Sequence, residues 1–316
     1  MPRDPIESTF SNIQSMKVRG AARIARAAAL ALKEYCTHNT FASSDDLSSR
    51  ITTAGARLIE ARPTAVSLPN AVNLVLNTAY HLKERGTPTR EAVRVISATC
   101  DEFVAASIKA AETIGEIGAK RIVDGDTVLT HCNSEMASSV LIHAKEMGRA
   151  FRVIVTETRP RFQGRLTASL LARKGLDVAL IPDTAARVYM HDVDKVVVGA
   201  DAIASNGAVV NKIGTSQIAL IAHESRAKFY VAAETLKLSS DTLLGELVEI
   251  EQRSPLEVVP KRWVESNKNV KVMNPAFDVT PPEYIDLIIT EKGVFPPQGI
   301  VLLMRDLYPT PTTNLS

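Results

Sequence analysis

The chain of 316 residues has three cysteines, and Cys132 sits in the stretch DTVLTHCNSEMASSV beside His131. There an apolar β-branched run stops at a polar cluster and a helix-forming run begins. Asp201 follows another such run, KVVVGA, in the same way. A cysteine near positive charge or a helix N-terminus can work as a thiolate. An aspartate whose pKa is raised by burial can work as a general acid. Taken alone, Cys132 reads as buried filler and Asp201 as an N-cap or turn former. The pair gains weight because both follow predicted strands of one sheet.

Other uses of the cysteines fare worse. Cys36, Cys100 and Cys132 form an odd set without C-x-x-C spacing, so no disulfide framework is expected and a reducing cytoplasm is the default. Cys36 and Cys100 lie in helical runs and read as core. His131 and Cys132 are adjacent, so on a strand their side chains diverge. No H-x-x-x-H or cysteine pair completes a zinc set, and no metal is expected. Neither G-x-G-x-x-G nor G-x-x-x-x-G-K-[ST] is present, so no nucleotide cofactor is expected either.

Anion binding fits better. Ser134 and the Gly214-Thr215-Ser216 turn fall where helices should begin, with free N–H groups and a favourable dipole. Arg19 beside Gly20, Arg62, Arg159, Lys212 and Lys237 can supply charge, and arginine grips phosphate through paired hydrogen bonds. Net charge is only +2 and no long basic run occurs, which argues against nucleic-acid binding. No run of about 20 apolar residues is free of charges, so no membrane span is expected. The polar, charged N-terminus does not read as a secretory signal.

The elements that must position these groups follow from periodicity. Up to about residue 118 the chain reads as helices: one stretch over roughly 8–36, then SSDDLSSRITTAGARLIEA, PNAVNLVLNTAYHLKERG and a long run from TREAV. Beyond it, six β-branched runs (TVLTH, RVIVTE, DVALI, KVVVGA, KFYVAA and YIDLIIT) alternate with helical segments. Near-continuous apolar strands separated by helices predict a parallel sheet covered on both faces. The expectation is an α/β protein: a helical domain over 1–118, then a doubly wound, Rossmann-like domain over 119–316. Its site should lie at the carboxyl ends of the strands, where His131, Cys132, Glu157, Arg159, Asp183, Asp201 and Glu234 all fall. The tail YPTPTTNLS is expected to fray.

Read in order, VRGAARIARAAA, ARPTAVSLPNA, THCNS, VTETRPRFQGRLTA, VGADAIASNGAVVNKIGT, AAETLKL and NPAFDVTPPEYIDLIITEKG resemble the superfamily that joins sugar-phosphate isomerases to the regulatory subunits of the translation-initiation guanine nucleotide exchange factor. The resemblance runs from about residue 10 to 308. Noncatalytic members generally lack the cysteine and replace the aspartate, and both are present here. Cys132-Asn133-Ser134-Glu135 and Arg19-Gly20-Ala21-Ala22 depart from the methylthioribose 1-phosphate isomerase pattern and resemble the archaeal ribose 1,5-bisphosphate branch. That resemblance implies isomerisation of ribose 1,5-bisphosphate to ribulose 1,5-bisphosphate in AMP breakdown feeding Rubisco. Cys132 would move the C2/C1 proton and Asp201 the ring-oxygen and hydroxyl protons, through a cis-phosphoenolate. A hydride shift is the competing course. Arg19, Gly20, Arg62, Ser134, Arg159, Asn211, Lys212 and Lys237 are the implied substrate contacts. AMP activation and a hexamer built from dimers are further implications. The alternatives are a methylthioribose 1-phosphate isomerase and a noncatalytic regulatory subunit.

Overall fold

In a computed structural model of the chain, residues 4–62 and 65–307 are described. The chain divides into two compact units between Ala110 and Ala111. The expected tail YPTPTTNLS lies outside the described residues.

The first unit is helical: α1 (Pro5–Gln14), α2 (Ala21–His38), α3 (Ser44–Glu60), α4 (Ser67–Glu84) and most of α5 (Thr89–Ala119). Asp4 caps α1 by accepting from the Ile6 N–H at 2.9 Å, with Pro5 at the first helical position. Ser43 caps α3 by accepting from the Asp46 N–H at 3.1 Å. Ile24, Leu32, Ile51, Leu58, Leu68, Val72 and Ile96 are buried together, and Cys36 and Cys100 sit in that core as free thiols. The single helical stretch expected over 8–36 is broken. Met16 is left-handed (φ 62°), Val18 N–H closes back onto the Asn12 carbonyl, and Gly20 (φ 90°) is the N-cap of α2.

The units meet inside α5, eight residues before the expected boundary. The later part of α5 belongs to the second unit, where the Ser139 hydroxyl donates to the Ala111 carbonyl at 2.7 Å. A Cβ on Gly115 or Gly118 would strike His143 or Val140, so the helix approaches α6 where side chains are missing. The change to β rhythm in the sequence marks the end of α5, not the place where its packing changes.

The second unit runs β1 (Thr127–Thr130), α6 (Glu135–Glu146), β2 (Arg152–Thr156), α7 (Gln163–Arg173), β3 (Asp177–Ile181), α8 (Ala186–Tyr189), β4 (Lys195–Val198), β5 (Ala202–Ile203), β6 (Val209–Lys212), α9 (Thr215–Ser225), β7 (Lys228–Ala232), α10 (Lys261–Ser266), β8 (Phe277–Thr280), β9 (Leu287–Thr290), β10 (Gly293–Phe295) and α11 (Ile300–Leu307). Seven strands form one sheet in the order β10-β9-β7-β4-β1-β2-β3, parallel except for β10. Its six parallel strands are the six runs read from the sequence. Val128, Leu129, Val196, Val197, Val198 and Val231 are fully buried, as strands covered on both faces require. The chain winds one way through β1, β2 and β3, then the other way through β4, β7 and β9. The order therefore reverses between β1 and β4, where a doubly wound sheet opens a crevice. A second, three-stranded antiparallel sheet, β5-β6-β8, follows β4 directly. Sequence periodicity missed it because its strands are short and lie inside motifs rich in turn residues.

Candidate active site

β1 and β4 are hydrogen-bonded neighbours, with Leu129 opposite Val196. Three residues beyond each register partner come Cys132 and Gly199, and Asp201 follows. Cys132 and Asp201 therefore leave the same end of the sheet on either side of the reversal point. Asp201 is fixed by its N–H, which donates to the Val210 carbonyl at 2.8 Å and starts the small sheet. Its negative charge reaches the Cys132 thiol.

Three non-glycine residues in the loops after β1 and β2 are left-handed: Cys132 (φ 69°), Thr158 (φ 62°) and Phe162 (φ 57°). Such backbone costs about 1–3 kcal/mol each and persists only where its surroundings hold it. Those surroundings are visible. Cys132 N–H donates to the Thr158 hydroxyl at 2.9 Å, and the Thr167 hydroxyl donates to the Cys132 carbonyl at 2.8 Å. Asp183, after β3, accepts from Thr158 N–H at 2.7 Å and Arg159 N–H at 2.6 Å. Three successive strand ends are thus laced together around the thiol.

His131 is part of the same lacing. It is buried, with Nε2 at 3.0 Å from the Ile213 carbonyl and Nδ1 at 2.6 Å from the Thr156 hydroxyl. A carbonyl only accepts, so Nε2 carries the proton and Nδ1 accepts from threonine. Burial pushes its pKa down to about 4, against an opposing pull from Asp183, so the ring is neutral at physiological pH. His131 positions Cys132; it is not a proton carrier near pH 7.

Burial also pushes the Cys132 thiol up to about 11; Lys212 and Arg253 pull it down and Asp201 pushes it further up. Lys212 is itself buried, its Nζ donating to the Ala276 carbonyl at 3.0 Å and lying 4.6 Å from the Phe277 ring centroid. Asn211, next to it on β6, is buried and its amide donates to the Thr215 hydroxyl at 3.0 Å. Asp278, opposite Asn211 on β8, accepts from the N–H groups of Gly214 and Ser216 and so caps α9. Burial raises the Asp278 carboxyl to about 6, those two N–H donors opposing.

The remaining expected residues separate. Ser134 is the N-cap of α6, accepting from Ala137 N–H at 3.2 Å, and packs directly on Gly199. A Cβ on Gly199 would lie 2.3 Å from the Ser134 Oγ, so the α6 N-terminus and the end of β4 touch only because residue 199 is glycine. Lys237 and Glu234 are buried immediately after β7. Arg159 is exposed at the end of β2. Its guanidinium donates to the Val258 carbonyl at 3.3 Å and lies 5.0 Å from the Phe162 ring centroid. Arg19 and Gly20 precede α2, and Arg62 follows α3, in the first unit. Thr158, Thr167, Asp183, Asp278 and Arg253 have roles that the sequence reading did not assign. Asp183 and Thr158 carried a signal, their places after strands.

Among the described residues no helix is long and apolar enough to cross a membrane. The fold and site define an α/β protein that gathers a thiol, a carboxylate and a buried lysine at the switch point of a doubly wound sheet. The chain matches the Initiation factor 2 subunit family over residues 17–297, and it belongs to that family. A ribose 1,5-bisphosphate isomerase of Methanocaldococcus jannaschii is 53% identical over 94% of this chain and 93% of its own length. One from Thermococcus kodakarensis is 49% identical over 93% and 92%. Among solved structures, the 5-methylthioribose 1-phosphate isomerase of Pyrococcus horikoshii has a TM-score of 0.79 at 31% identity, covering 96% of this chain and 88% of that one.

Proposed function

We propose that the chain is a sugar-phosphate isomerase, an intramolecular aldose–ketose isomerase that converts α-D-ribose 1,5-bisphosphate to D-ribulose 1,5-bisphosphate. The observation that carries the reading is identity of 45–53% over more than nine tenths of the chain to five archaeal proteins named for that substrate. The placement of Cys132 and Asp201 at the ends of adjacent strands supports it chemically.

With O1 phosphorylated, no free aldehyde can form while the phosphate stays. The furanose must open by breaking C1–O4, which leaves C1 cationic. In the reading offered here, Asp201 relays the Cys132 proton to O4. The thiolate then removes the C2 proton to give the cis-enol phosphate, with O2 still protonated. The re-formed thiol returns that proton to C1, and the O2 proton passes through Asp201 back to sulfur. Each group ends as it began, and no proton is gained or lost. A thiol pushed to about 11 suits this order, because it stays protonated until a cation develops at C1. Lys212 favours the thiolate at that moment. Asn211, Lys212, Ser134 and Lys237 supply substrate contacts around the thiol, and Arg19, Gly20 and Arg62 are proposed as contacts on their sequence motifs alone. Arg159 contributes if its guanidinium leaves Val258 for a phosphate. The same reading has the protein act in the cytoplasm, as a hexamer built from dimers and activated by AMP.

The test is direct. Purified protein is supplied with ribose 1,5-bisphosphate or methylthioribose 1-phosphate and the products are followed by NMR. Ribulose 1,5-bisphosphate should form from the first only, and conversion of the second alone overturns the assignment. Cys132→Ser and Asp201→Asn should remain folded and lose about 100- to 10,000-fold in kcat. Mass photometry with and without AMP tests the assembly, and rate measurements with AMP test the activation.

A further inference from the structure

Arg253 lies in the long excursion between β7 and β8, far in sequence from Cys132 and Asp201. Its side chain is only 9% exposed. Glu251 holds it from two points, Nε to Oε1 at 2.8 Å and Nη2 to Oε2 at 3.4 Å. The backbone around it is equally fixed. Arg253 N–H donates to the Asn274 carbonyl at 2.9 Å, Ala276 N–H donates to the Glu251 carbonyl at 2.8 Å, and Gln252 bridges Pro275. These bonds dock residues 251–253 on the strand lead that delivers Phe277. Phe277 is the register partner of Lys212. The Arg253 guanidinium carbon lies 5.9 Å from the Phe277 ring centroid, and Lys212 Nζ lies 4.6 Å from the same centroid. A buried lysine and a largely covered arginine therefore share one aromatic ring.

Stability does not explain this arrangement. A half-buried ion pair contributes little to stability, and a second cation on the ring that Lys212 already faces adds repulsion. We infer that Arg253 is a positioning residue for the reaction: clamped by Glu251 and set against Phe277, it fixes a second positive charge beside Lys212 that acts on the Cys132 sulfur. The charges facing that sulfur are Lys212 and Arg253, which favour the thiolate, and Asp201, which opposes it. Lys212 lies on β6 and must also meet the substrate. Arg253 is held by its own carboxylate and keeps its place whether or not substrate is bound. The inference rests on the assignment of Cys132 as the proton-transfer group.

The experiment needs no substrate. Alkylation of Cys132 by iodoacetamide is followed by mass spectrometry across pH in the full chain, because its rate tracks the thiolate. Arg253→Gln should slow alkylation at a fixed pH near 9 by about threefold or more, the effect of roughly half a pKa unit. Arg253→Lys, which keeps the charge, should stay near the parent rate. Glu251→Gln, which strips the counter-charge, should move the rate the opposite way and keeps the test open should Arg253→Gln not fold. In turnover, Arg253→Gln should lower kcat with little change in KM. Identical pH dependence of alkylation in all four proteins overturns the inference. So does a rise in KM alone, which would make Arg253 a substrate contact. If the alkylation series behaves as expected but ribose 1,5-bisphosphate is not converted, the proposed function fails and the charge assignment stands.

Discussion

Acidification should destabilise an Asp278→Asn variant far more than the parent chain. Two buried groups with opposite pKa shifts set this expectation. His131 falls from 6.5 to about 4 through burial. Between those values the unfolded chain binds a proton that the fold refuses. Its contribution is complete above 6.5 and is lost as pH falls, roughly 2.5 kcal/mol by about pH 4.5. Asp278 rises from 3.8 to about 6, also through burial. Here the fold binds a proton that the unfolded chain does not, so the contribution is complete below 3.8 and is lost as pH rises through 6. Acidification to about pH 4.5 therefore returns at most about 2 kcal/mol, discounted because the carboxyl is partly exposed. In the parent chain the two effects largely offset each other. Asparagine keeps an acceptor for the Gly214 and Ser216 N–H groups but removes the titration, leaving His131 unopposed. At about 2–4 °C per kcal/mol for a unit of this size, the lost Asp278 contribution of at most about 2 kcal/mol should make the Tm of Asp278→Asn fall up to roughly 4–8 °C more than the parent between about pH 7 and pH 4.5. His131→Gln should show the reverse slope. Differential scanning calorimetry at matched ionic strength reads both. Parallel Tm–pH curves for the three proteins would refute the burial argument for both groups.

Three further outcomes follow from the geometry. Gly199→Ala should destabilise the fold because its Cβ would lie 2.3 Å from Ser134 Oγ and 2.6 Å from Ser134 Cβ. Ser134→Gly should relieve that clash at the cost of a cap, so a double-mutant cycle by urea denaturation should show about 1 kcal/mol or more of favourable coupling. Asp183→Ala removes two charge-assisted bonds to Thr158 and Arg159 and should cost about 3 kcal/mol, read by thermal denaturation. Cys132 at about 11, against 9.0 for an ordinary thiol, should react with iodoacetamide about 100-fold more slowly than a free cysteine near neutral pH.

The large sheet was legible because its parallel strands are buried on both faces, and that burial writes itself as runs such as RVIVT and KFYVA. The reversal between β1 and β4 then put Cys132 and Asp201 at one end. The small sheet was not legible: β5 has two residues, and β8 alternates buried Phe277 with exposed Val279. The break before α2 escaped because SMKVRG carries no proline and its left-handed turn falls on Met16, an unusual residue for that backbone. Arg253 and Asp278 enter the site through pairings between segments distant in the chain, β6 with β8 and 251–253 with 274–276. Local pattern holds no record of such pairings.

The left-handed backbone at Cys132 has an evolutionary corollary. At φ 69° a glycine or asparagine would sit with less strain than any cysteine, by about 1 kcal/mol. Mutation alone would therefore push this position away from sulfur, and the push would be rewarded with a sturdier protein. A lineage freed from turnover should shed the thiol early and gain thermal tolerance in doing so, whereas retention of cysteine at that angle marks a lineage still under selection for its reactivity.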